Sequence, residues 1–253
     1  MRFAPAIRTG ILLAAAAAVL AAGPSGKALH VDGDFEGIQA GKYLRRDDKG
    51  QDWYESRGDT KEGRNLLVLS TKKIGGNRTR KAMIKAHPDL NTYLTQRFAR
   101  AQTGDFTVRF DVYIREILSD DNRSVFFLVG DDRDGKRGAN STGVERFVFM
   151  GFENALEPGK INLFAREAKT TWDQRTVVVR DLDLKTWYTV VVVVHTQDEI
   201  FEVAVEGVTP SPVPLEAFHA GRSVPKRLTH LSFASWNDGA GTFYVDNVSA
   251  SEH

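Results

Sequence analysis

The sequence contains no cysteine, which excludes disulfide bonds, thiolate nucleophiles and cysteine-ligated zinc. It also lacks a glycine-rich phosphate loop, a serine-centred nucleophile elbow and a His-Glu-x-x-His zinc motif. Helical periodicity is scarce as well. Residues 89–101 are the main helix candidate, and we favour a strand around Tyr93–Phe98 in their place. The composition, with 42% hydrophobic and 26% charged residues, is ordinary for a globular domain with a packed core.

The first 28 residues follow the plan of an export signal. Met1–Arg8 is basic without an acid, and residues 10–23 are apolar with small residues towards their end. This apolar stretch is shorter than the roughly 20 residues of a membrane-spanning helix. We therefore predict a bacterial Sec-type signal peptide over residues 1–28, cut between residues 22 and 28, with an uncleaved anchor as the alternative. The mature domain, residues 29–253, is then secreted or periplasmic and has no transmembrane segment.

Removal of the signal peptide changes the net charge. The whole chain carries +1, and loss of Arg2, Arg8 and Lys27 leaves the mature part at −2. The slight basicity therefore belongs to the export signal, and we expect no nucleic acid partner. One basic stretch remains, which we interpret as a solvated face or loop, with an anionic ligand nearby as the alternative: Lys72, Lys73, Arg78, Arg80, Lys81 and Lys85.

Alternating hydrophobicity predicts strands through most of the mature chain. In residues 106–114 apolar and polar side chains alternate, as in a strand with one face in the core and one in water. Trp187–His195 contains five consecutive valines, which favour a strand because β-branched side chains suit the pleat. Trp187 opens this strand, and we assign its ring to the core. Further strands are predicted at residues 124–130, 146–152, 160–166, 175–180, 200–206, 228–236 and 242–249.

Turn-forming residues separate these strands, and no helices intervene, which predicts an all-β, antiparallel two-sheet β-sandwich. Four segments, DGDFEG at 32–37, GDFTVRFDVYI at 104–114, TWYTV at 186–190 and GTFYVDNV at 241–248, resemble the concanavalin A-like lectin/glucanase superfamily in its laminin-G-like and carbohydrate-binding-module forms. The resemblance implies a jelly roll whose concave sheet face often binds sugars. Lectins, binding modules, glycoside hydrolases and polysaccharide lyases share this fold, so the fold does not select the function.

The resemblance also implies a structural calcium ion where the first and last strands lie side by side. Asp34, Glu36 and Asp246 match the positions of its acidic ligands. Calcium takes 6–8 oxygen ligands, which three carboxylates, backbone carbonyls and water can supply. The alternative is that these acids are ordinary turn and edge residues.

The polar face of residues 107–113 is the candidate carbohydrate-binding site. Arg109 and Asp111 can chelate sugar hydroxyls, and the ring of Tyr113 can pack on a sugar face. Trp53, Trp172 and Trp236 are the candidate stacking platforms. A purely solvated outer sheet face, with the tryptophans in the core, is the alternative.

Catalytic candidates are His195, Tyr113 and Arg109, which supply the residue types that a polysaccharide lyase uses to move a proton and neutralise a carboxylate. A retaining glycosidase needs two carboxyls about 5–5.5 Å apart, and Glu202 and Glu206 lie about 13 Å apart on a strand. Glu145, Glu153 and Glu167 belong to no motif. The sequence thus favours a secreted polysaccharide-binding protein without catalysis; a lyase or hydrolase of this fold is the alternative, and a structural or adhesive domain without a sugar ligand is the second.

Overall fold

The computed structural model describes residues 28–29, 32–38, 53–55, 66–131, 146–167, 175–218, 223–236 and 239–253. Within them the chain forms fourteen β-strands and no helix. No helix in this part of the chain therefore has the length and apolarity needed to cross a bilayer. The predicted signal peptide, apart from Ala28, and Trp172 lie outside the described residues.

The strands form two antiparallel sheets of seven. Sheet A has the order β12-β11-β10-β5-β14-β3-β2, and sheet B has the order β1-β4-β13-β6-β7-β8-β9. The strand bounds are β1 Tyr54–Glu55, β2 Leu67–Ser70, β3 Lys81–Ala86, β4 Thr92–Gln102, β5 Asp105–Ser119, β6 Arg123–Gly130, β7 Arg146–Asn154, β8 Lys160–Ala165, β9 Thr176–Asp183, β10 Trp187–His195, β11 Ile200–Val205, β12 Val213–Glu216, β13 Leu228–Ser235 and β14 Gly239–Glu252. The predicted two-sheet antiparallel sandwich is confirmed, as is a strand in place of a helix at Tyr93–Phe98.

The alternation in the sequence determines which side chains enter the core. Val190, Val192 and Val194 of β10 have no exposed surface, whereas Val191 and Val193 are half-buried on the other face. Strand β10 pairs with β5 so that Val192 lies opposite Val108, which is also fully buried. The valine run therefore forms a central strand of sheet A with one face in the core.

Aromatic rings fill the space between the sheets. Phe110 of sheet A lies 4.7 Å from Phe127 and 5.0 Å from Phe233, both of sheet B, measured between ring centroids. The ring centroid of Phe233 lies 6.4 Å from that of Trp53. These rings are at most 2% exposed, and large aromatic side chains contribute most of the apolar area in such cores. They hold the two sheets face to face.

The N-terminal segment lies beside the last strand, as expected from the sequence. The Leu29 amide donates to Ala250 O of β14 at 2.8 Å, and Leu29 O accepts from the Ala99 amide of β4 at 2.8 Å. Further along, the Val248 amide donates to Gly33 O at 2.8 Å. The segment around residues 29–33 is thus joined to the last strand, β14, and it also links sheet A to sheet B.

Candidate functional site

The polar residues predicted on β5 do lie on one face, the outer face of sheet A, which is turned away from the core. Arg109 donates to Glu206 through two hydrogen bonds, from Nε at 3.0 Å and from Nη2 at 2.9 Å. Asp111 accepts from Thr189 Oγ1 at 2.6 Å and from Asn247 Nδ2 at 2.8 Å. Both side chains are therefore engaged by the protein's own groups.

Tyr113 is covered by the protein itself. Its ring lies 5.4 Å from Trp187 and 6.0 Å from Tyr244, and the residue is 9% exposed. Gly75 lies against this ring: a Cβ on Gly75 would come within 2.5 Å of Tyr113 Cε2. Tyr113 is thus enclosed on the outer face of sheet A. The assignment of Trp187 to the core is wrong. Val190 points into the core, and side chains alternate along a strand, so residue 187 lies on the outer face. There the Trp187 Nε1 donates to Ile74 O at 2.8 Å.

The catalytic candidates are far apart. His195 pairs with Asp105 across the ladder, whereas Tyr113 pairs with Trp187 at its other end. Tyr113 lies eight positions after Asp105 on the strand, roughly 27 Å away at a rise of about 3.4 Å per residue. His195 Nδ1 lies 2.9 Å from Asp105 Oδ2, and its Nε2 lies 4.0 Å from Glu202 Oε1. The geometry gives His195 and Tyr113 separate surroundings and no common site.

The acids predicted to bind calcium do not form a metal-binding group. Within the described ranges no cluster of three or more His, Cys, Asp or Glu side chains could hold a metal ion. Asp246 has no exposed surface and accepts from Asn77 Nδ2 and Thr79 Oγ1, each at 2.7 Å. Glu36 Oε1 accepts from the Arg80 amide at 2.7 Å. The residues present do not fit calcium, because protein donors hold the oxygens that the ion needs.

Trp53 and Trp236 have different surroundings. Trp53 is 1% exposed, packs 5.3 Å from Phe35 and donates from Nε1 to Asp32 O at 3.0 Å. The expectation that Trp53 stacks on a sugar is therefore wrong, since a core side chain does not reach a surface ligand. Trp236 is half-buried on the outer face of sheet B, away from β5.

Around Trp236 lies an apolar cluster separate from the main core. It belongs to the outer face of sheet B, because Phe127, Val129, Leu231 and Phe233 on the same strands point the opposite way, into the core. Trp236 stacks on Phe126 at 4.3 Å, and Phe149 lies 5.2 Å from Phe218. The members of this cluster are Tyr93, Phe126, Leu128, Phe149, Phe164, Phe218, Ala234 and Trp236.

Arginine side chains pack on these rings. The Arg146 guanidinium carbon lies 4.8 Å from the Phe149 ring centroid and 5.3 Å from that of Trp236. Arg166 lies 4.9 Å from Phe149, and Arg175 lies 5.9 Å from Phe164. Cations within about 6 Å of a ring are attracted by its quadrupole. We call these residues the aromatic–arginine face, defined as Phe126, Phe149, Phe164, Phe218 and Trp236 with Arg146, Arg166 and Arg175.

Two backbone features give the aromatic–arginine face its shape. Gly151 leaves room for the rings: a Cβ there would come within 2.7 Å of Phe126 Cδ1 and 2.9 Å of Phe164 Cζ. Val125 has φ 57° at a bulge between Ser124 and Phe127 in the β6–β7 pairing. A β-branched residue rarely adopts this conformation, and such strain is concentrated at functional sites. The bulge directly precedes Phe126, which stacks under Trp236.

Polar groups occupy the middle of the same sheet face. On the central strand β13, His230 Nδ1 lies 2.7 Å from Thr229 Oγ1, which donates to Asp131 Oδ1 at 3.2 Å. Asp131 also accepts from Arg227 Nη1 at 3.0 Å. His230 is 1% exposed and pairs with Arg97 of β4 and Gly130 of β6. A buried histidine thus lies next to an arginine on the outer face of sheet B.

Of the carboxylates without a motif, Glu153 lies on this face, where it accepts from Arg175 Nε and lies 4.0 Å from Arg123 Nε. Glu167 accepts from the Glu216 amide at 3.0 Å, and Glu145 lies outside the described residues. The strands 124–130 and 146–152 are apolar on both faces. This was the sequence signal for the aromatic–arginine face, since a strand needs only one apolar face to join a core.

No protein-family profile and no curated protein matches the sequence. Solved structures do match. A glycoside hydrolase family 131 catalytic domain from Coprinopsis cinerea aligns with a TM-score of 0.52 and 13% identity over 90% of this chain and 95% of that one. A PL7 alginate lyase from Zobellia galactanivorans aligns with a TM-score of 0.51 and 14% identity over 75% and 81%. A sialidase aligns over 84% of this chain, which spans only 18% of that protein, with a TM-score of 0.51 and 13% identity. At these identities the likeness establishes the fold alone: the chain is an antiparallel jelly-roll sandwich.

Proposed function

We propose that this protein is a secreted or periplasmic carbohydrate-binding protein that contacts a polysaccharide with the outer face of sheet B. The observation that carries the proposal is the half-buried pair Trp236 and Arg146, which lies over the buried rings of the aromatic–arginine face. Aromatic rings pack against the apolar faces of sugars, and guanidinium groups donate paired hydrogen bonds to hydroxyl and carboxylate oxygens. The likeness to an alginate lyase and to a glycoside hydrolase supports a carbohydrate ligand by analogy of fold.

The outer face of sheet A is the weaker candidate for the same role. Arg109 and Asp111 already bond to Glu206, Thr189 and Asn247. A ligand that used these groups would first have to break those bonds. Sheet B offers the half-buried Trp236 with the Arg146 guanidinium 5.3 Å from its ring, and this combination supports binding there.

A glycan-array screen identifies the ligand, and two variants then test the face. Trp236→Ala should weaken binding about tenfold, the equivalent of roughly 1.4 kcal/mol, because it removes one stacking ring. Trp236→Phe should keep most of the affinity. Arg109→Met on sheet A is the matched control and should bind as the unmodified protein does. Equal weakening by Trp236→Ala and Arg109→Met, or the absence of any glycan ligand, would reject the proposal.

A polysaccharide lyase is the second candidate, which the likeness in fold to a PL7 alginate lyase favours; His230, 1% exposed, would reach a substrate only if the groups that cover it moved. This histidine lies beside Arg97 on the central strand, and it is joined to Asp131 through Thr229. A lyase needs a base to remove a proton and a cation to stabilise the uronate carboxylate. Acidic polysaccharides incubated with the protein should then gain the absorbance of unsaturated uronides, and His230→Gln should abolish that gain. Binding without product would leave the protein a lectin-like binder.

A further inference from the structure

The loop of residues 32–38 presents three carbonyl oxygens to one cation of the chain. Phe35, at φ 58°, inserts its ring into the core with no exposed surface. The loop is closed by the Phe35 amide, which donates to Asp32 O at 3.1 Å, and by the Gly37 amide, which donates to Asp32 Oδ1 at 3.0 Å. With Phe35 anchored inwards, the carbonyl oxygens of residues 35, 36 and 38 converge on one donor. Converging carbonyl oxygens create the negative potential that attracts a cation.

The cation that meets these oxygens is Arg80. Its Nη1 donates to Ile38 O at 2.5 Å, to Phe35 O at 3.4 Å and to Glu36 O. The backbone amide of Arg80 donates to Glu36 Oε1 at 2.7 Å. One residue at the start of β3 therefore binds three carbonyls and one carboxylate of the loop, the kinds of oxygen ligand that a calcium ion takes.

A second cation follows directly in the chain. Lys81 has no exposed surface, and its Nζ donates to Lys72 O at 3.0 Å and to Thr79 O. Burial lowers the pKa of Lys81, and the negative charges of Asp246 and Glu36 oppose this lowering. These two acids are among the three expected to bind calcium, so their charge acts on a lysine of the protein itself.

We propose that Arg80 and Lys81 take the place of a structural calcium ion and fasten the N-terminal segment to sheet A without a metal. Arg80 occupies the carbonyl oxygens of the loop, and Lys81 supplies positive charge beside Asp246. The Asn77 and Thr79 side chains fill the hydrogen-bonding capacity of Asp246. The segment between Gly33 and Phe35 is then held by Val248 on one side and by Arg80 on the other.

The first test uses the unmodified protein after chelator treatment. Thermal unfolding is measured in chelator and after addition of calcium chloride in millimolar excess. The melting temperature should be the same under both conditions, because a ligand that binds only the native state would raise it. A rise of several degrees with calcium, or calcium binding seen by calorimetry, would overturn the proposal. This test does not depend on any variant folding.

The second test compares two neighbouring arginines. Arg80→Ala should lower the melting temperature by about 5 °C, because Glu36 O and Ile38 O lose the arginine donor, while Phe35 O keeps the Ile38 amide at 3.3 Å. Arg78 is exposed and serves as the matched control, so Arg78→Ala should leave the melting temperature within about 1 °C. Amide hydrogen exchange at Phe35 and Gly37 should accelerate in Arg80→Ala and stay unchanged in Arg78→Ala. Equal behaviour of the two variants in both measurements would refute the role of Arg80.

Discussion

The outer faces of the two sheets differ in what their side chains contact. On sheet A, charged and polar groups bond to one another, as Arg109 does to Glu206 and Asp111 does to Thr189. On sheet B, aromatic rings pack on one another, and arginines pack on the rings. The first face is joined by polar contacts, whereas the second is joined mainly by contacts between rings and between rings and guanidinium groups. The difference shows that a strand with clean alternation indicates a solvated face, while strands apolar on both faces indicate a second packed surface.

Removal of a ring from the aromatic–arginine face should have the largest effect on stability. Phe149→Ala should cost about 3–5 kcal/mol of unfolding free energy, because Phe149 is fully buried among Phe218, Arg146 and Arg166. Val191→Ala, half-buried on the outer face of sheet A, should cost under about 1 kcal/mol. Urea denaturation of both variants measures the difference. Similar losses would mean that the two outer faces are packed alike.

A methyl group added at Gly151 should have an intermediate effect on the free energy of unfolding. Its carbon would come within 2.7 Å of Phe126 and 2.9 Å of Phe164, so Gly151→Ala should cost about 1–3 kcal/mol through overpacking. A Cβ added at Gly104 would have no atom within 4 Å, so Gly104→Ala is the control. Its free energy of unfolding should stay within about 0.5 kcal/mol of that of the parent. Chemical denaturation distinguishes the two. A neutral Gly151→Ala variant would show that the rings of this face repack freely.

The Arg109–Glu206 ion pair on sheet A should contribute little to the free energy of unfolding. Arg109 and Glu206 side chains are 36% and 33% exposed, and exposed pairs contribute about 0.2–1 kcal/mol. A double-mutant cycle with Arg109→Met and Glu206→Gln should therefore give a coupling energy in that range, with polysaccharide affinity unchanged. A coupling energy several times larger, or loss of affinity in either variant, would contradict the view of sheet A as a self-satisfied surface.

The smallest expected effect is a pH dependence from Asp246. Burial raises the pKa of Asp246, against the lowering effect of hydrogen bonds from Asn77, Thr79 and the Asn247 amide. Between the unfolded and the raised folded pKa, the folded state binds more protons, so this group's contribution to stability falls as pH rises. Asp246→Asn should lack this decrease. Denaturation of both proteins from pH 3 upwards measures the difference, and Asp120→Asn, at an exposed turn, is the control. A difference curve that rises with pH would reverse the assigned sign.

The sequence was sufficient for ten of the fourteen strands and for the inward faces of the alternating ones, whereas β1, β2, β3 and β12 were not predicted. Phe106–Ile114 and Val190–Val194 alternate in the pattern that the structure shows, because period two is a local property of the chain. The same parity, counted from Val190, would have placed Trp187 on the outer face. Strand parity, and not the size of the ring, therefore decides the face on which Trp187 lies.

The candidate site could not be located by the same means. In residues 124–130 both faces are apolar, and local sequence does not say which face joins the core and which forms a second surface. Lys81 shows the same limit: a lysine in a basic stretch predicts solvent exposure, yet it is fully buried in β3. Its burial depends on the 71–80 connection and on Asp246 of β14, which lies far along the chain. Contacts between residues so far apart in the chain arise from the order of the strands in the sheet.

Backbone amide chemical-shift mapping with the polysaccharide fragment found in the glycan screen tests the assignment of the binding face most directly. We predict that the largest perturbations lie on β6, β7 and β13, around Phe126, Phe149 and Ala234. Amides of β5 and β10, including Arg109 and Val191, should stay unperturbed. Perturbations centred on β5 and β10, with β6, β7 and β13 silent, would contradict binding at the outer face of sheet B.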